Sequence, residues 1–311
     1  MAKRYGVPYQ GSKNAIAKDI LSVLPAAPVL VDLFAGGCAI THAALEECES
    51  LCPKWEKVIS NDINPMPGEL FRRAANGEYA QETRWISRED FFLLKDTDPY
   101  VRYCWSFGNN GRDYLYSKEA EPWKRALHHA YIHGSTALLE VMAGALPDDV
   151  RRGGAAAVRE YIRKNEALVR ERYISWYRSS SIMQLDRPFS SRLAYMESLQ
   201  GLQRLQSLQG LQRTEQTYVD YHEKTIPDGA VVYCDIPYEN TQCECYDQTF
   251  DHAEFRDWAC QTAKRAKVYV SSYHIDDPRF ECVWEKEKPC LLSSGGSNKR
   301  TERLYKAKAS A

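Results

Sequence analysis

The sequence predicts an α/β fold built on an open, largely parallel sheet, and three stretches predict it. Val29-Leu30-Val31-Asp32-Leu33-Phe34 is an apolar run followed by Ala35-Gly36-Gly37-Cys38-Ala39 and a helical pattern from Ile40 to about Glu49. Val58-Ile59-Ser60 is a second run, ending in Asn61-Asp62-Ile63-Asn64. Val231 to Cys234 is a third, entered from Pro227-Asp228-Gly229 and closed by Asp235-Ile236-Pro237-Tyr238. Short apolar runs bounded by turns read as buried strands. Strand, glycine turn and helix in succession open a nucleotide-binding βαβ unit.

Composition sets the outer limits. The chain has 311 residues, 44% hydrophobic and 27% charged, as expected of a globular protein of one large domain or two ordinary ones. No apolar run is long enough to span a membrane. Met1-Ala2-Lys3-Arg4-Tyr5-Gly6 lacks the apolar stretch of a signal peptide, and the ten cysteines are scattered. They read as reduced thiols of a cytoplasmic protein. Cys48/Cys52 and Cys243/Cys245 have no partner pairs at zinc spacing, and His129 and His133 read as core or surface residues, so no metal is expected. A net charge of −1 leaves any nucleic-acid binding to local patches.

Along the chain, Pro8-Tyr9-Gln10-Gly11-Ser12-Lys13-Asn14 is turn-rich, and Ala15 to Leu24 follows as a helix. A lysine on such a turn can meet an anion; the alternative is a plain N-cap at Ser12. Gly36 and Gly37 let a ligand approach the backbone, although the spacing is not G-x-G-x-x-G, which weakens a pyrophosphate reading. Asp62, at the end of the second strand, is placed for a ribose hydroxyl pair. Asp235 and Tyr238 put a hydrogen-bond acceptor and a flat ring beyond the carboxyl end of a strand, where open sheets bind ligands. The plain alternative is a strand stopped by proline.

Four blocks together carry a resemblance: Tyr9-x-Gly11-x-Lys13, Asp32-Leu33-Phe34-x-Gly36-Gly37, Asn61-Asp62 and Tyr233-Cys234-Asp235-x-Pro237-Tyr238. In this order they resemble the Dam-like (D12-class) DNA adenine N6-methyltransferases of phage or prophage type. The resemblance covers roughly residues 5–66 and 215–311. It implies a Rossmann-like sheet with a mostly helical target-recognition insert, S-adenosylmethionine as cofactor, and methyl transfer to adenine N6 in DNA after base flipping. It further implies catalytic roles for Asp235, Ile236, Pro237 and Tyr238. Tyr9, Lys13, Asp32, Phe34, Ala35, Gly36, Gly37, Asp62, Ile63, Asp220 and Tyr221 become the cofactor-binding candidates. Ile236 replaces the first proline of the usual Asp-Pro-Pro-Tyr. It still offers a carbonyl, and Pro237 holds it extended, so activity is expected. Tyr238 is expected to act through its ring face.

Residues 65–197 read differently. Pro65 and Pro67 end a loop, Leu70 to Gly77 reads as a short helix, and Glu121 to Leu146 and Ala155 to Arg178 read as helices. Tyr103 to Gly111 mixes rings, amides and glycines. It suits either a core strand with a turn or a segment along DNA, with Asn109 and Asn110 reading base edges. From Arg151 to Arg178, eight basic residues (Arg151, Arg152, Arg159, Arg163, Lys164, Arg170, Arg172 and Arg178) face three acids (Glu160, Glu166 and Glu171). That excess suits phosphate contacts by Arg163, Lys164 and Arg170; a solvated helix face is the alternative.

Residues 198–212 repeat a leucine every third position, which drifts around an α-helix and predicts a 3₁₀-like or extended ladder instead. Thr217 to Tyr221 reads as a strand, Phe250 to Lys264 as a helix, Val268 to Tyr273 as a strand, and Cys282–Glu287 with Arg303–Lys308 as a closing pair. The loop of Ser293 to Asn298 between them, with Lys299 and Arg300, is expected near DNA. The expected organisation is a catalytic domain over 1–66 and 215–311, an insert over 67–197 and a connector over 198–214. The expected partner is double-stranded DNA, bound by a monomer or weak dimer with no membrane contact. The alternatives are a methyltransferase on another planar amine (cytosine N4, RNA adenine, protein glutamine) and a catalytically silent DNA-binding homologue.

Overall fold

The computed structural model describes residues 4–180, 192–206, 208, 211–239, 250–289 and 299–309. The loop from Ser293 to Asn298 lies outside them. The elements run α1 Ala17–Val23, β1 Val29–Asp32, α2 Ala39–Cys48, β2 Lys57–Asn61, α3 Pro65–Ala75, α4 Arg88–Leu94, α5 Pro99–Cys104, α6 Glu121–His133, α7 Ala137–Ala143, α8 Asp148–Arg152, α9 Gly154–Lys164, α10 Glu166–Ser180, α11 Ala194–Leu205, β3 Thr214–Thr217, β4 Val231–Cys234, α12 His252–Thr262, β5 Lys267–Ser272, β6 Phe280–Pro289 and β7 Lys299–Ala307. They fall into two compact units, residues 1–79 with 201–311, and residues 80–200.

The first unit is a seven-stranded sheet in the order β3-β2-β1-β4-β5-β7-β6. β1, β2, β3, β4 and β5 pair in parallel, while β7 runs antiparallel between β5 and β6. Every residue of β4 is buried, the pattern of a strand covered on both faces. Val31, Val232, Val268 and Val270 meet Phe255, Ala259 and Cys260 of α12 on one face. By alternation Leu30, Val231 and Tyr233 point to the other. The strand order reverses between β1 and β4, whose pairing sets Asp32 opposite Tyr233, so their carboxyl ends open side by side at the switch point.

Several expectations shift. α3 starts at Pro65 rather than Leu70 because proline lacks only an N–H that the first turn leaves unpaired, and Asn64 caps it through Met66 N at 3.1 Å. β3 ends at Thr217, so Tyr218 to Tyr221 form the loop after the strand. The first half of the leucine repeat lies in α11, and Leu211–Arg213 forms a short 3₁₀ turn as expected. Tyr195, Leu199, Leu202 and Leu205 are buried at steps of four, three and three. Each three-residue step slips only about 60°, so three leucines still share a face. The helix stops at Leu205, before the next leucine would reach the far side.

The second unit is helical. Its α6 is followed by Gly134, in the left-handed conformation at φ 69°, so the stretch from Glu121 to Leu146 is broken into α6 and α7. Trp105 stacks on Tyr195 at 4.1 Å, beside Trp85 and Tyr116, and His128 Nδ1 lies 2.6 Å from the Tyr195 hydroxyl. Tyr103 to Gly111 is neither strand nor extended: it finishes α5 and makes a tight turn closed by a bridge between Ser106 and Tyr114.

Candidate active site

The carboxyl ends of β1, β2 and β3 are tied together by one side chain. Asn61 Nδ2 donates to Leu33 O at 3.2 Å and Val219 O at 3.0 Å, and Asn61 Oδ1 accepts from Thr217 Oγ1 at 2.8 Å and Val219 N at 3.3 Å. The adjoining Asp62 is held just as firmly. Its Oδ2 accepts from Gly36 N at 2.8 Å and its Oδ1 from Asn64 N at 2.9 Å. Burial raises the Asp62 pKa; those two backbone bonds oppose the rise and the charge of Asp235 adds to it. Next to this anchored carboxylate, Ile63 is 58% exposed.

Asp32, at the end of β1, caps α2 from outside the helix. Thr41 N and Thr41 Oγ1 donate to its Oδ2 at 3.0 and 2.6 Å. Its Oδ1 is buried with no hydrogen-bond partner among the described residues. Burial pushes this carboxyl up to about 7 in spite of the two Thr41 bonds, and the charges of Asp235 and Asp62 push the same way. Gly36 and Gly37 admit a close approach, but from Tyr9. A Cβ on Gly36 would lie 2.8 Å from the Tyr9 ring and one on Gly37 2.6 Å from Tyr9 Cβ, while Val7 N bonds Gly37 O at 2.8 Å. The first and second sequence blocks are thus one packed unit, with Ala35 N fixed to Asn61 O at 2.8 Å.

Phe34 and Tyr221 sit 5.6 Å apart in a ring cluster with Phe250 and Phe255. Asp220 closes the local turn, accepting from His222 N at 2.9 Å.

Beyond β4, Asp235 Oδ1 lies 2.7 Å from Lys13 Nζ, and the same ammonium is 4.9 Å from the centroid of the Tyr238 ring. Lys13 is almost fully buried; burial works against its charge, but Asp235 and then Glu302 raise its pKa above the usual lysine value. Lys13 therefore faces the residues that follow β4. Tyr238 meets Tyr273 edge-on at 4.5 Å and donates its hydroxyl to Glu302, which lies 3.6 Å from Lys13 Nζ. Ile236 buries its side chain in the core next to Phe255.

Sequence reasoning missed Glu302, Tyr273 and the bracket made by Asn61. Glu302 carried one signal: it lies two residues before Leu304 on β7, so the two share a face, and Leu304 is fully buried. An acid on the inward face of a strand must have partners there.

In the helical unit, Asn109 Nδ2 donates to Tyr103 O at 2.7 Å. Asn110 Oδ1 accepts from Arg112 N and Asp113 N at 2.8 and 3.1 Å. Both amides hold the turn. Arg163 and Lys164 are exposed and reach Glu160 at 2.7 and 3.2 Å, and Arg170 is exposed on α10.

No curated protein matches this chain. A family model does match it, that of the D12 class N6 adenine-specific DNA methyltransferases, over residues 9–273. The match takes in all four sequence blocks and the strand ends on which Asp32, Asp62 and Asp235 stand, and the chain belongs to the D12 class of N6 adenine-specific DNA methyltransferases.

Proposed function

We propose that the enzyme methylates the N6 amine of adenine in double-stranded DNA at Asp235-Ile236-Pro237-Tyr238, on a base that has left the duplex. The observation that carries this reading is Asp235 at the switch point, with its Oδ1 already accepting from a nitrogen cation at 2.7 Å. A site that holds an ammonium there suits an amine gaining positive charge during transfer.

The residues at the strand ends fit S-adenosylmethionine. Asp62 keeps acceptor capacity on both oxygens for a ribose hydroxyl pair, and exposed Ile63 offers an apolar face to adenine. Asp32 Oδ1, buried and unpartnered, suits an ammonium group. When bound, the cofactor supplies a sulfonium-activated methyl group. Asp235 and the Ile236 carbonyl accept the two N–H bonds of the adenine amine, drawing its nitrogen towards a tetrahedral shape. Pro237 keeps that carbonyl extended. Positioning of this kind supplies much of the acceleration. Tyr238 offers its ring to the base, which must leave the stack for its amine to be reached. Lys13 bonds Asp235 Oδ1, so the ammonium and the amine draw on the same carboxylate. The exposed cations Arg163, Lys164 and Arg170 are the phosphate contacts of this reading.

The experiment is transfer of labelled methyl groups from S-adenosylmethionine to unmethylated genomic DNA, with RNA and denatured DNA as parallel substrates, followed by mapping of the modified bases. Label on adenine N6 of duplex DNA is the expected result. Label on RNA or on cytosine alone overturns it.

A further inference from the structure

The catalytic strand does not account for Glu302. It lies on β7, beyond the residues that the family model covers, it is 4% exposed, and it reaches into the pocket from the antiparallel side of the sheet. Its carboxylate accepts from the Tyr238 hydroxyl and stands 3.6 Å from Lys13 Nζ, which is itself 2.7 Å from Asp235. One ammonium is thus shared unequally between two carboxylates, and the nearer one is the acceptor that the substrate needs.

We propose that Glu302 is a positioning residue of this methyltransferase with two linked tasks: it fixes the Tyr238 ring through the hydroxyl, and it receives the Lys13 ammonium when the adenine amine takes Asp235. Two cations competing for one carboxylate favour such a receiver. Lys13 is too buried to be released uncompensated, because an unpaired ammonium in a low-dielectric site costs several kcal/mol. Glu302 offers a charge-assisted partner about 1 Å farther off, so a small side-chain rotation exchanges one ion pair for another. Tyr273 meets the Tyr238 ring edge-on, and the hydroxyl bond to Glu302 adds a restraint on its tilt.

The proposal rests on the assignment of Asp235 given above, and six variants separate the two. Glu302→Gln keeps an acceptor for the Tyr238 hydroxyl but removes the charge that receives Lys13. The KM for DNA is expected to rise about tenfold with kcat little changed, the equivalent of one charge-assisted bond. Adding Lys13→Gln to Glu302→Gln is expected to bring KM back, because the ammonium that competes for Asp235 is gone. Tyr238→Phe is expected to lower kcat about tenfold, and Glu302→Ala with Tyr238→Phe to be no worse in kcat than Glu302→Ala alone, since both remove one hydrogen bond. Calorimetric affinity for S-adenosylmethionine, unchanged in Glu302→Gln, serves as the control for its folding, and the denaturant midpoint serves for the variants at Lys13 and Tyr238. If Glu302→Ala does not fold, Glu302→Gln and its Lys13→Gln partner still decide. A wild-type KM in Glu302→Gln, or a KM that worsens when Lys13→Gln is added, overturns the proposal. Active Asp235→Ala would instead overturn the site assignment itself.

Discussion

At the strand ends of the sheet unit, Asp32, Asp62, Asp235, Glu302 and Lys13 are brought from five places in the sequence and held by bonds across the fold. Along α8 and α9 of the helical unit, the charged groups pair instead with neighbours three or four residues away: Arg151 with Asp148, Arg163 and Lys164 with Glu160. The first arrangement is desolvated and specific, and loss of any one member strands another. The second is solvated and redundant, and its members can exchange a carboxylate for a phosphate at little cost. Buried, long-range charge suits a transition state; exposed, local charge suits a polyanion read mainly by its backbone.

The contrast breaks most visibly at Asp235. Asp235→Ala is expected to lower kcat by roughly 10²–10³-fold, as loss of a preorganised transition-state partner does elsewhere, while S-adenosylmethionine still binds. Single-turnover methyl transfer beside calorimetry measures both, and a near-native rate would place the chemistry elsewhere. Asn61→Ala, which strands partners at the ends of β1 and β3, should cost about 2–3 kcal/mol in denaturant unfolding. A loss below half of that would mean that the strand ends hold without the bracket. Asp62→Ala should weaken S-adenosylmethionine binding by about 1–3 kcal/mol, and unchanged affinity in a folded variant removes Asp62 from the ribose site.

Asp32 adds a pH signature. Its carboxyl is raised from 3.8 to about 7, so between those values the folded protein holds a proton that the unfolded chain has released. Its contribution to stability is full below about 4 and is lost as pH rises through about 7. Asp32→Asn should flatten that part of the profile of the cofactor-free protein, and an identical slope would show that Asp32 does not titrate there. The smallest effect belongs to the helical unit. Replacing Arg163, Lys164 and Arg170 together with alanine should leave kcat alone and reduce the salt slope of DNA binding by about one per cation. An unchanged slope makes α9 and α10 merely a solvated face.

The centre of the sheet was legible because β1, β2, β4 and β5 carry apolar runs between turns, whereas β3, Thr-Glu-Gln-Thr, carries none and was read three residues late. Candidate residues stood out where chemistry and sequence coincide, as at Asp62 and Asp235, the first residues after β2 and β4, with Tyr238 three positions further. Lys13 was legible as a charged residue on a turn, but its partner was not, since nothing local to Lys13 names Asp235 or Glu302. Gly36 and Gly37 announced a close approach without saying by what, and the answer is a tyrosine of the same chain. The leucine repeat misled because a period of three departs from a helix only slowly, and α11 ends before the departure matters. For Asn109 and Asn110 the sequence left a turn and a segment along DNA equally open, because amides on a turn are chemically identical whether they bond to a base or to the turn itself; both bond to the turn.

The route of β7 has a consequence for when the enzyme becomes competent. This strand slips between β5 and β6, and it brings Glu302 to a pocket whose lysine comes from the turn before α1. A contact between segments so distant in sequence forms late, because the entropy of closing the intervening chain must be overcome first. Strands β1, β2 and β4 can align their carboxyl ends while Tyr238 still lacks its bond to Glu302. Methyl transfer then reports on completion of the sheet, and a nascent or partly opened molecule would hold its cofactor and leave DNA unmarked.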